Sequence, residues 1–348
     1  MIAARPALDR SGWTSSLASM PSSAASPARW WPRTLFDRGA GSVWASRGPK
    51  PAQRPPHCAL RTAVSTPAST PYGTTVRLAT WNVNSLKARL PRVEEWLAYA
   101  QPDVVCLQET KVTDMAFPAL AFAACGYECA HHGDGRWNGV AILSRVGLAD
   151  VTTGFGETGA REDENGSGVG RVLADVAAER RLVAATCGGV RVVSIYVPNG
   201  RSLGSEQFVA KLYWLGRLRE WLAATASPDE RVAVCGDFNI APDDRDVFDP
   251  ARFVGSTHTS ADERAALRDL EQWGLHDAFR LLYPQDRLYT WWDYRAGDFH
   301  NHRGMRIDLV LVTASLARTV RWGIVDRAAR KGKQPSDHAP LLMDFDEG

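Results

Sequence analysis

The sequence predicts one α/β domain in which two mixed β-sheets pack face to face and helices cover their outer faces. Three observations lead to this prediction. Short apolar runs alternate with amphipathic segments from Val76 to the end of the chain, without an internal repeat or linker. Polar residues collect at the ends of these runs. If all of these ends meet at one edge, strands must run in both directions, which excludes an all-parallel sheet and favours two packed sheets.

Eight short apolar runs account for the predicted strands. Their lengths and the turn-forming residues around them are typical of buried strands. They are Val76–Trp81, Val104–Leu107, Gly139–Leu143, Val172–Val176, Val190–Val197, Val232–Cys235, Ile307–Val312 and Pro340–Phe345. The polar, glycine-containing stretch Glu162–Gly168 predicts a surface loop.

Three longer segments repeat apolar residues at helical spacing. Leu86–Tyr99 places Leu90 and Val93 on one stripe, and Gln207–Ala224 and Ala261–Leu275 show the same periodicity. A stripe of this kind is typical of a helix that packs one face on a sheet. These segments therefore predict the helices that cover the sheets.

The first 75 residues have a different composition. They are rich in Ser, Ala, Pro and Arg and contain nine basic and two acidic residues, a balance of +7 within a chain of net charge +2. We expect residues 1–75 to be a disordered extension and residues 76–348 to be the catalytic domain. Residues 1–75 could alternatively be a transit peptide, a segment included because the start codon was assigned too far upstream, or a non-specific DNA-binding tail, because each would have this composition. Residues 76–348 therefore carry a net charge of −5. This excludes a generic nucleic-acid coat protein, which would be basic overall.

The cysteines and the hydropathy bear on location. Six cysteines are scattered along the chain, and Cys106 and Cys235 lie inside apolar runs, as buried thiols do. We therefore expect a reducing compartment, the cytoplasm, with association with the nucleoid in a bacterium. No apolar run is long enough to cross a bilayer, so no membrane partner is expected. Cys125 and Cys129 have a spacing that suits no common zinc site.

Polar residues of one chemical kind follow or precede the strands. Carboxylate and amide oxygens are hard ligands that suit magnesium, and a histidine beside an acid can be held protonated to donate to a phosphate. A cation at a phosphodiester withdraws charge from the phosphoryl oxygens. We expect these residues to converge on one centre: Asn82, Glu109, Tyr196, Asp237, Asn239, Asp308, Asp337 and His338.

Each residue alone has a structural alternative. Asn82 could cap the helix that begins at Leu86, and Glu109 could form a surface ion pair with Lys111. Asp237 could belong to a tight turn, and Tyr196 could be a half-buried strand tyrosine. These alternatives do not explain why so many apolar runs end in groups that bind metals or phosphates.

The same stretches carry a family resemblance. Six motifs resemble the exonuclease/endonuclease/phosphatase superfamily: Thr80–Asn84, Leu107–Lys111, Trp137–Ile142, Tyr196–Gly200, Gly236–Pro242 and Ser336–Pro340. Two more, Tyr289–Arg295 and Arg306–Leu309, resemble the exonuclease III branch of abasic-site endonucleases. The resemblance covers about Val76 to Phe345 and does not include residues 1–75.

The resemblance implies a four-layer α/β sandwich and a magnesium-dependent nuclease, with manganese as the alternative ion. It implies a metal site that contains Asn82, Glu109, Asp237, Asn239, Asp337 and His338. Asp237 would orient and deprotonate the attacking water, and Asn239 would hold Asp237. His338, held by Asp308, would bond a phosphate oxygen, and Tyr196 would contact the same phosphate or the leaving group.

The resemblance also implies substrate contacts. Lys111, Asn199 and Lys211 would lie near the DNA backbone; as an alternative, Lys211 could be a solvated surface residue. Trp291, Met305 and Ile307 would form an apolar pocket for a flipped-out sugar, with plain core packing as the alternative. Trp291 could instead stack on the DNA.

The expected substrate is double-stranded DNA with abasic sites or 3′ ends, and the product would carry a 3′-hydroxyl. We expect the protein to act as a monomer. The alternatives are a related phosphoesterase that acts on RNA, a phospholipid or an inositol phosphate, and a catalytically silent nucleic-acid-binding protein. The sequence does not apportion abasic incision, 3′-to-5′ exonuclease, 3′-phosphatase and RNase H-like cleavage, since these depend on loop shape.

Overall fold

Two six-stranded sheets form the centre of the computed structural model, which describes residues 75–156 and 168–347. Most strands are buried, because their apolar runs face packed layers on both sides. The strands are β1 (Thr75–Asn82), β2 (Val104–Gln108), β3 (Glu128–His132), β4 (Val140–Ser144), β5 (Ala149–Thr153), β6 (Leu182–Cys187), β7 (Val190–Tyr196), β8 (Val232–Asp237), β9 (Leu275–Asp277), β10 (Asp308–Thr313), β11 (Val320–Val325) and β12 (Leu341–Asp346).

Both sheets are mixed, as the sequence predicts. The first has the order β11-β12-β1-β2-β4-β3, and the second has the order β5-β6-β7-β8-β10-β9. β1 runs parallel to β2 and antiparallel to β12. In the same way, β7 runs parallel to β8, and β10 runs antiparallel to β8. The ends of β1, β2, β7 and β8 can therefore meet the beginnings of β10 and β12 at one edge.

Helices cover the outer face of each sheet and complete four layers. The helices are α1 (Leu86–Ala100), α2 (Ala119–Ala124), α3 (Gly168–Ala178), α4 (Glu206–Thr225), α5 (Ala261–Trp273), α6 (Ala278–Leu282) and α7 (Ala314–Ala317). α1 and α2 pack on the first sheet, and α3, α4 and α5 pack on the second. A third apolar core lies between the sheets and includes the buried free thiols of Cys106, Cys187 and Cys235. The predicted α/β sandwich is confirmed.

One predicted strand is wrong. Val172–Val176 lies inside α3, where Val172 and Leu173 pack against the core of the second sheet and Val176 is buried. The run of apolar residues also fits helical spacing, and length alone did not separate the two. β3, β5, β6, β9 and β11 were not among the predicted strands.

Two predictions fall wholly or mainly outside the described residues. Residues 1–74 are outside them, so the disordered extension and its boundary stay predictions. The predicted loop Glu162–Gly168 is also outside them except for Gly168, which begins α3. Among the described residues, no helix is long and apolar enough to span a membrane.

Candidate active site

The strand ends converge as the sequence predicts. Tyr196, Asp237 and Asp308 stand in register on the neighbouring strands β7, β8 and β10. Gly236 permits the close approach of β7 and β8, because a Cβ atom there would lie 1.9 Å from the carbonyl oxygen of Ile195. The second sheet therefore presents a tyrosine and two carboxylates side by side at its edge.

Asn82 joins the two sheets at this edge. Its side-chain nitrogen Nδ2 donates to Glu109 Oε1 at 2.8 Å and to Asp237 Oδ2 at 2.9 Å. Its oxygen accepts from the backbone nitrogen of Asn84 at 3.0 Å. Ser85, and not Asn82, occupies the N-cap position of α1. Asn82 thus bridges a carboxylate of the first sheet to a carboxylate of the second.

Three potential metal ligands lie close together in this centre. One ligand atom each from Glu109, Asp237 and His338 lies within 4.8 Å of the others, which makes them a possible metal-binding cluster. Burial raises the pKa of Asp237 to about 7, although His338 opposes the shift. Carboxylate oxygens are the ligands that a small hard cation prefers, so these residues fit such an ion.

Asp308 holds the His338 ring by its Nδ1 atom, while the other ring nitrogen, Nε2, lies on the side of Asp237. Its Nδ1 atom lies 2.8 Å from Asp308 Oδ2, and its Nε2 atom lies 3.8 Å from Asp237 Oδ2. Burial lowers the pKa of His338, but Asp308, Asp237 and Asp337 outweigh burial and raise this pKa to about 10. The geometry therefore turns Nε2 of His338 toward the centre, and the neighbouring acids favour the protonated ring.

Tyr196 faces the same centre from β7. Burial and the neighbouring Glu109 raise the pKa of the Tyr196 hydroxyl well above its usual value, and Arg181 opposes the shift. A phenol of this kind stays protonated and can donate a hydrogen bond to an anionic oxygen.

Asp337 connects the cluster to the predicted sugar pocket. Its two oxygens accept from Asn84 Nδ2 at 3.0 Å and from Trp291 Nε1 at 3.1 Å. Asn84 also accepts from Lys111 Nζ at 2.8 Å, and Lys111 forms an ion pair with Glu109 at 2.8 Å. Sequence reasoning missed Asn84 as a site residue, although its place in the motif Thr80–Asn84 was a signal that could have found it.

A second group of amides flanks Asp237. Asn239 donates its backbone N–H to Asp237 Oδ1 at 2.9 Å and its side-chain amide to the carbonyl of Val197 at 2.9 Å. Asn239 Oδ1 accepts from Asn199 Nδ2 at 3.2 Å and contacts His258 Nε2 at 3.1 Å. Sequence reasoning missed His258, because it lies in an irregular segment whose pattern gives no signal.

Lys211 is buried beneath these amides. Its ammonium group forms an ion pair with Glu263 and hydrogen-bonds to the carbonyls of Asn239 at 2.7 Å and Asn199 at 3.3 Å. Both members of the ion pair are 0% exposed. The structure thus places this cation inside the protein, and the alternative of a solvated surface lysine is wrong.

The predicted pocket residues lie next to the cluster. Met305 and Ile307 are buried in a small apolar core, and Trp291 packs partly against it. Isolated β-bridges connect Trp291 to Met305 and to His338. A cavity of about 180 Å³ opens beside Trp291 and Met305, while Ile307 lies outside its lining. The arrangement contains both a packed core and an adjoining cavity.

Several residues of the site have a left-handed backbone. Asn84, Glu109, Lys111, Asn239 and His258 have φ angles between 43° and 79°. Such conformations cost non-glycine residues about 1–3 kcal/mol and persist where the surrounding structure imposes them. Five of the thirteen non-glycine residues with positive φ in the described part of the chain therefore lie at this site.

Two packed mixed sheets with a carboxylate–histidine centre at their common edge define a class of phosphate-ester hydrolases. A model of the Endonuclease/Exonuclease/phosphatase family matches residues 79–338. The exodeoxyribonuclease III of Haemophilus influenzae is 33% identical over 279 residues, which cover 78% of this chain and 100% of that relative.

Solved structures agree with this class. An AP endonuclease from Archaeoglobus fulgidus has a TM-score of 0.71 and 35% sequence identity to this chain. The alignment covers 78% of this chain and 100% of the Archaeoglobus chain. A 3′ phosphatase from Neisseria bound to a product DNA hairpin has a TM-score of 0.70 and 37% identity, with the same coverage. The chain therefore belongs to the Endonuclease/Exonuclease/phosphatase family, and within it to the exonuclease III group of hydrolases.

Proposed function

We propose that this chain hydrolyses DNA phosphodiesters at abasic sites and at 3′ ends, with a magnesium ion bound at Glu109, and leaves a 3′-hydroxyl. One observation carries the proposal: Glu109, Asp237 and His338 come from three distant segments and offer ligand atoms within 4.8 Å of one another. The named relatives, an exodeoxyribonuclease III, an AP endonuclease and a 3′ phosphatase, support DNA as the substrate.

Asp237 is the proposed base for the attacking water. Asn82 and the backbone N–H of Asn239 fix the two oxygens of Asp237, so its carboxylate is oriented before the substrate binds. A general base that is held in place contributes about 10² to 10⁴ in rate. Asn239 is in turn held by Val197 and Asn199.

His338 and Tyr196 are the proposed donors to the phosphate. Asp308 holds His338 by one ring nitrogen, so the other can donate to a phosphoryl oxygen. The Tyr196 hydroxyl can donate to the same group or to the leaving oxygen. When a magnesium ion is bound, it withdraws charge from the phosphoryl oxygens and stabilises the leaving oxyanion. Its proposed neighbours are Asn82, Glu109, Asp237, Asn239, Asp337 and His338.

Substrate contacts surround this centre. In this proposal Lys111 and the exposed Asn199 contact the DNA backbone, and Lys211 acts from below through the carbonyls that it holds. We propose that Trp291 and Met305 receive the sugar of an abasic nucleotide in the cavity of about 180 Å³, with Ile307 packed behind them.

The test is cleavage of fluorescent duplexes that carry an abasic site, a blunt 3′ end or a 3′-phosphate, with magnesium, with manganese and with EDTA. We expect metal-dependent turnover of at least one of these duplexes and none with EDTA. Asp237→Asn should abolish cleavage and leave DNA binding intact. The matched control is Asp229→Asn, which changes an exposed loop carboxylate and should cleave normally.

Three other results would contradict parts of the proposal. DNA binding that is insensitive to EDTA and occurs without cleavage would indicate a catalytically silent binding protein. Turnover of RNA, a phospholipid or an inositol phosphate in preference to every DNA duplex would place the chain elsewhere in the family. Wild-type-like cleavage by the Asp237→Asn variant would remove the proposed base.

A further inference from the structure

Arg181 lies against Tyr196 at the edge of the second sheet. It directly precedes β6, whose first residue Leu182 pairs with Ile195 on β7. The carbonyl of Arg181 accepts from the backbone nitrogen of Tyr196 at 2.9 Å. The side chain of Arg181 donates back to the carbonyl of Tyr196 at 3.2 Å. Main chain and side chain thus bind the same residue.

The guanidinium group of Arg181 also covers the ring of Tyr196. Its central carbon lies 4.6 Å from the ring centroid, within the range of a cation–π contact. Arg181 also forms an ion pair with Glu179, and the Arg181 side chain is only 11% exposed. One face of the ring is thus covered and its backbone is bound, and these contacts restrain the ring whose hydroxyl interacts with Glu109.

We propose that Arg181 is a positioning residue for catalysis: it holds the ring of Tyr196 so that the hydroxyl points at the reacting phosphate. Arg181 acts through Tyr196 and needs no contact of its own with the substrate. The proposal extends the proposed function, on which its kinetic test rests, and assigns a role to a residue outside the recognised motifs.

A double-mutant cycle tests the coupling. Arg181→Met removes the cation and keeps an unbranched apolar side chain. We expect it to lower kcat about tenfold with little change in KM, since it misplaces a group that acts in the transition state. In the Tyr196→Phe background, Arg181→Met should change kcat less than about twofold. Arg181→Lys keeps a charge over the ring and should lose less activity than Arg181→Met.

The neighbouring arginine provides the control. The side chain of Arg180 is 40% exposed and pairs with Asp114, so Arg180→Met should keep wild-type kcat. The proposal is overturned if Arg181→Met has no effect, or if its effect is equally large in the Tyr196→Phe background. If Arg181→Met does not fold, the same cycle is run with Arg181→Gln, which also removes the cation, and is judged by the same two criteria.

A second readout does not depend on activity. In protein labelled with 3-fluorotyrosine, the ¹⁹F resonance of Tyr196 is assigned by its loss in Tyr196→Phe. Arg181→Met should shift and broaden this resonance, whereas Arg180→Met should not. An unchanged Tyr196 resonance overturns the inference even if DNA is cleaved. Absence of cleavage by the wild-type protein overturns the proposed function and leaves this spectroscopic result to decide the role of Arg181.

Discussion

Removing either partner of the buried ion pair between Lys211 and Glu263 should destabilise the protein, and the two changes should cost different amounts of unfolding free energy. Both side chains are 0% exposed, so removing either partner leaves a buried charge, which costs about 3–5 kcal/mol of unfolding free energy. Lys211→Met should lie near 3 kcal/mol, because other donors still bond the Glu263 carboxylate. They are the Thr257 hydroxyl, the His258 backbone N–H, and the Ser260 backbone N–H and hydroxyl.

Glu263→Gln should be the more damaging change, near 5 kcal/mol. It leaves the ammonium of Lys211 with two carbonyl acceptors, and one end of the new amide places an N–H group against donors. The combined variant Lys211→Met/Glu263→Gln should cost less than the sum of the two single changes, since neither charge remains.

Urea unfolding followed by circular dichroism measures these free energies. Lys87→Met, on the exposed face of α1, is the control and should stay within about 0.5 kcal/mol of the wild type. If Lys211→Met costs as much as Glu263→Gln, the remaining donors do not stabilise the carboxylate as argued. A cost below about 1 kcal/mol for both variants would show that the pair is not buried.

Three further predictions concern the site and its support. His338→Ala should lower kcat about 10²- to 10⁴-fold, and cleavage at the wild-type rate would exclude its role as a phosphate donor. Glu109→Ala should weaken magnesium binding more than about tenfold, which calorimetric titration measures without DNA; unchanged affinity would remove Glu109 from the metal site. Asp246→Asn should cost about 3–5 kcal/mol at pH 7, because Asp246 is buried against Arg306. Burial raises the pKa of Asp246, but Arg306 and Arg280 outweigh burial and lower it. The stability that the Asp246 carboxylate contributes is therefore present above about pH 4 and is lost as pH falls through the lowered pKa. A cost of Asp246→Asn that stays constant on acidification would contradict this.

The contributions of the two sheets explain why the site lies at their common edge. The first sheet supplies Glu109 and the support from Asn82, and the second supplies Asp237 and Asp308. His338 enters from the loop that leads into β12. A loop edge between rigid sheets fixes charged groups while leaving room for a substrate.

Several strongly apolar elements were predictable from the sequence, although the buried strand β6 was missed. β8 and β10 are fully buried along their length, so their apolar runs were unambiguous. β5 is exposed throughout and β11 largely so, and such edge strands carry no apolar run to detect. Val172–Val176 was assigned to a strand because a short apolar run also fits one turn of a buried helix. The pattern of apolar residues in the sequence does not identify an element whose buried positions depart from the strand or helix period.

For the site, the sequence by itself determined the residue types and their places at the ends of strands. It did not determine which of these residues touch. That Asn82 bridges Glu109 and Asp237, that His258 joins Asn239, and that Lys211 is buried were decided only by the tertiary structure. The physical reason is that hydrogen bonds form between groups that strand direction and sheet packing bring within about 3 Å, and sequence spacing does not encode that distance.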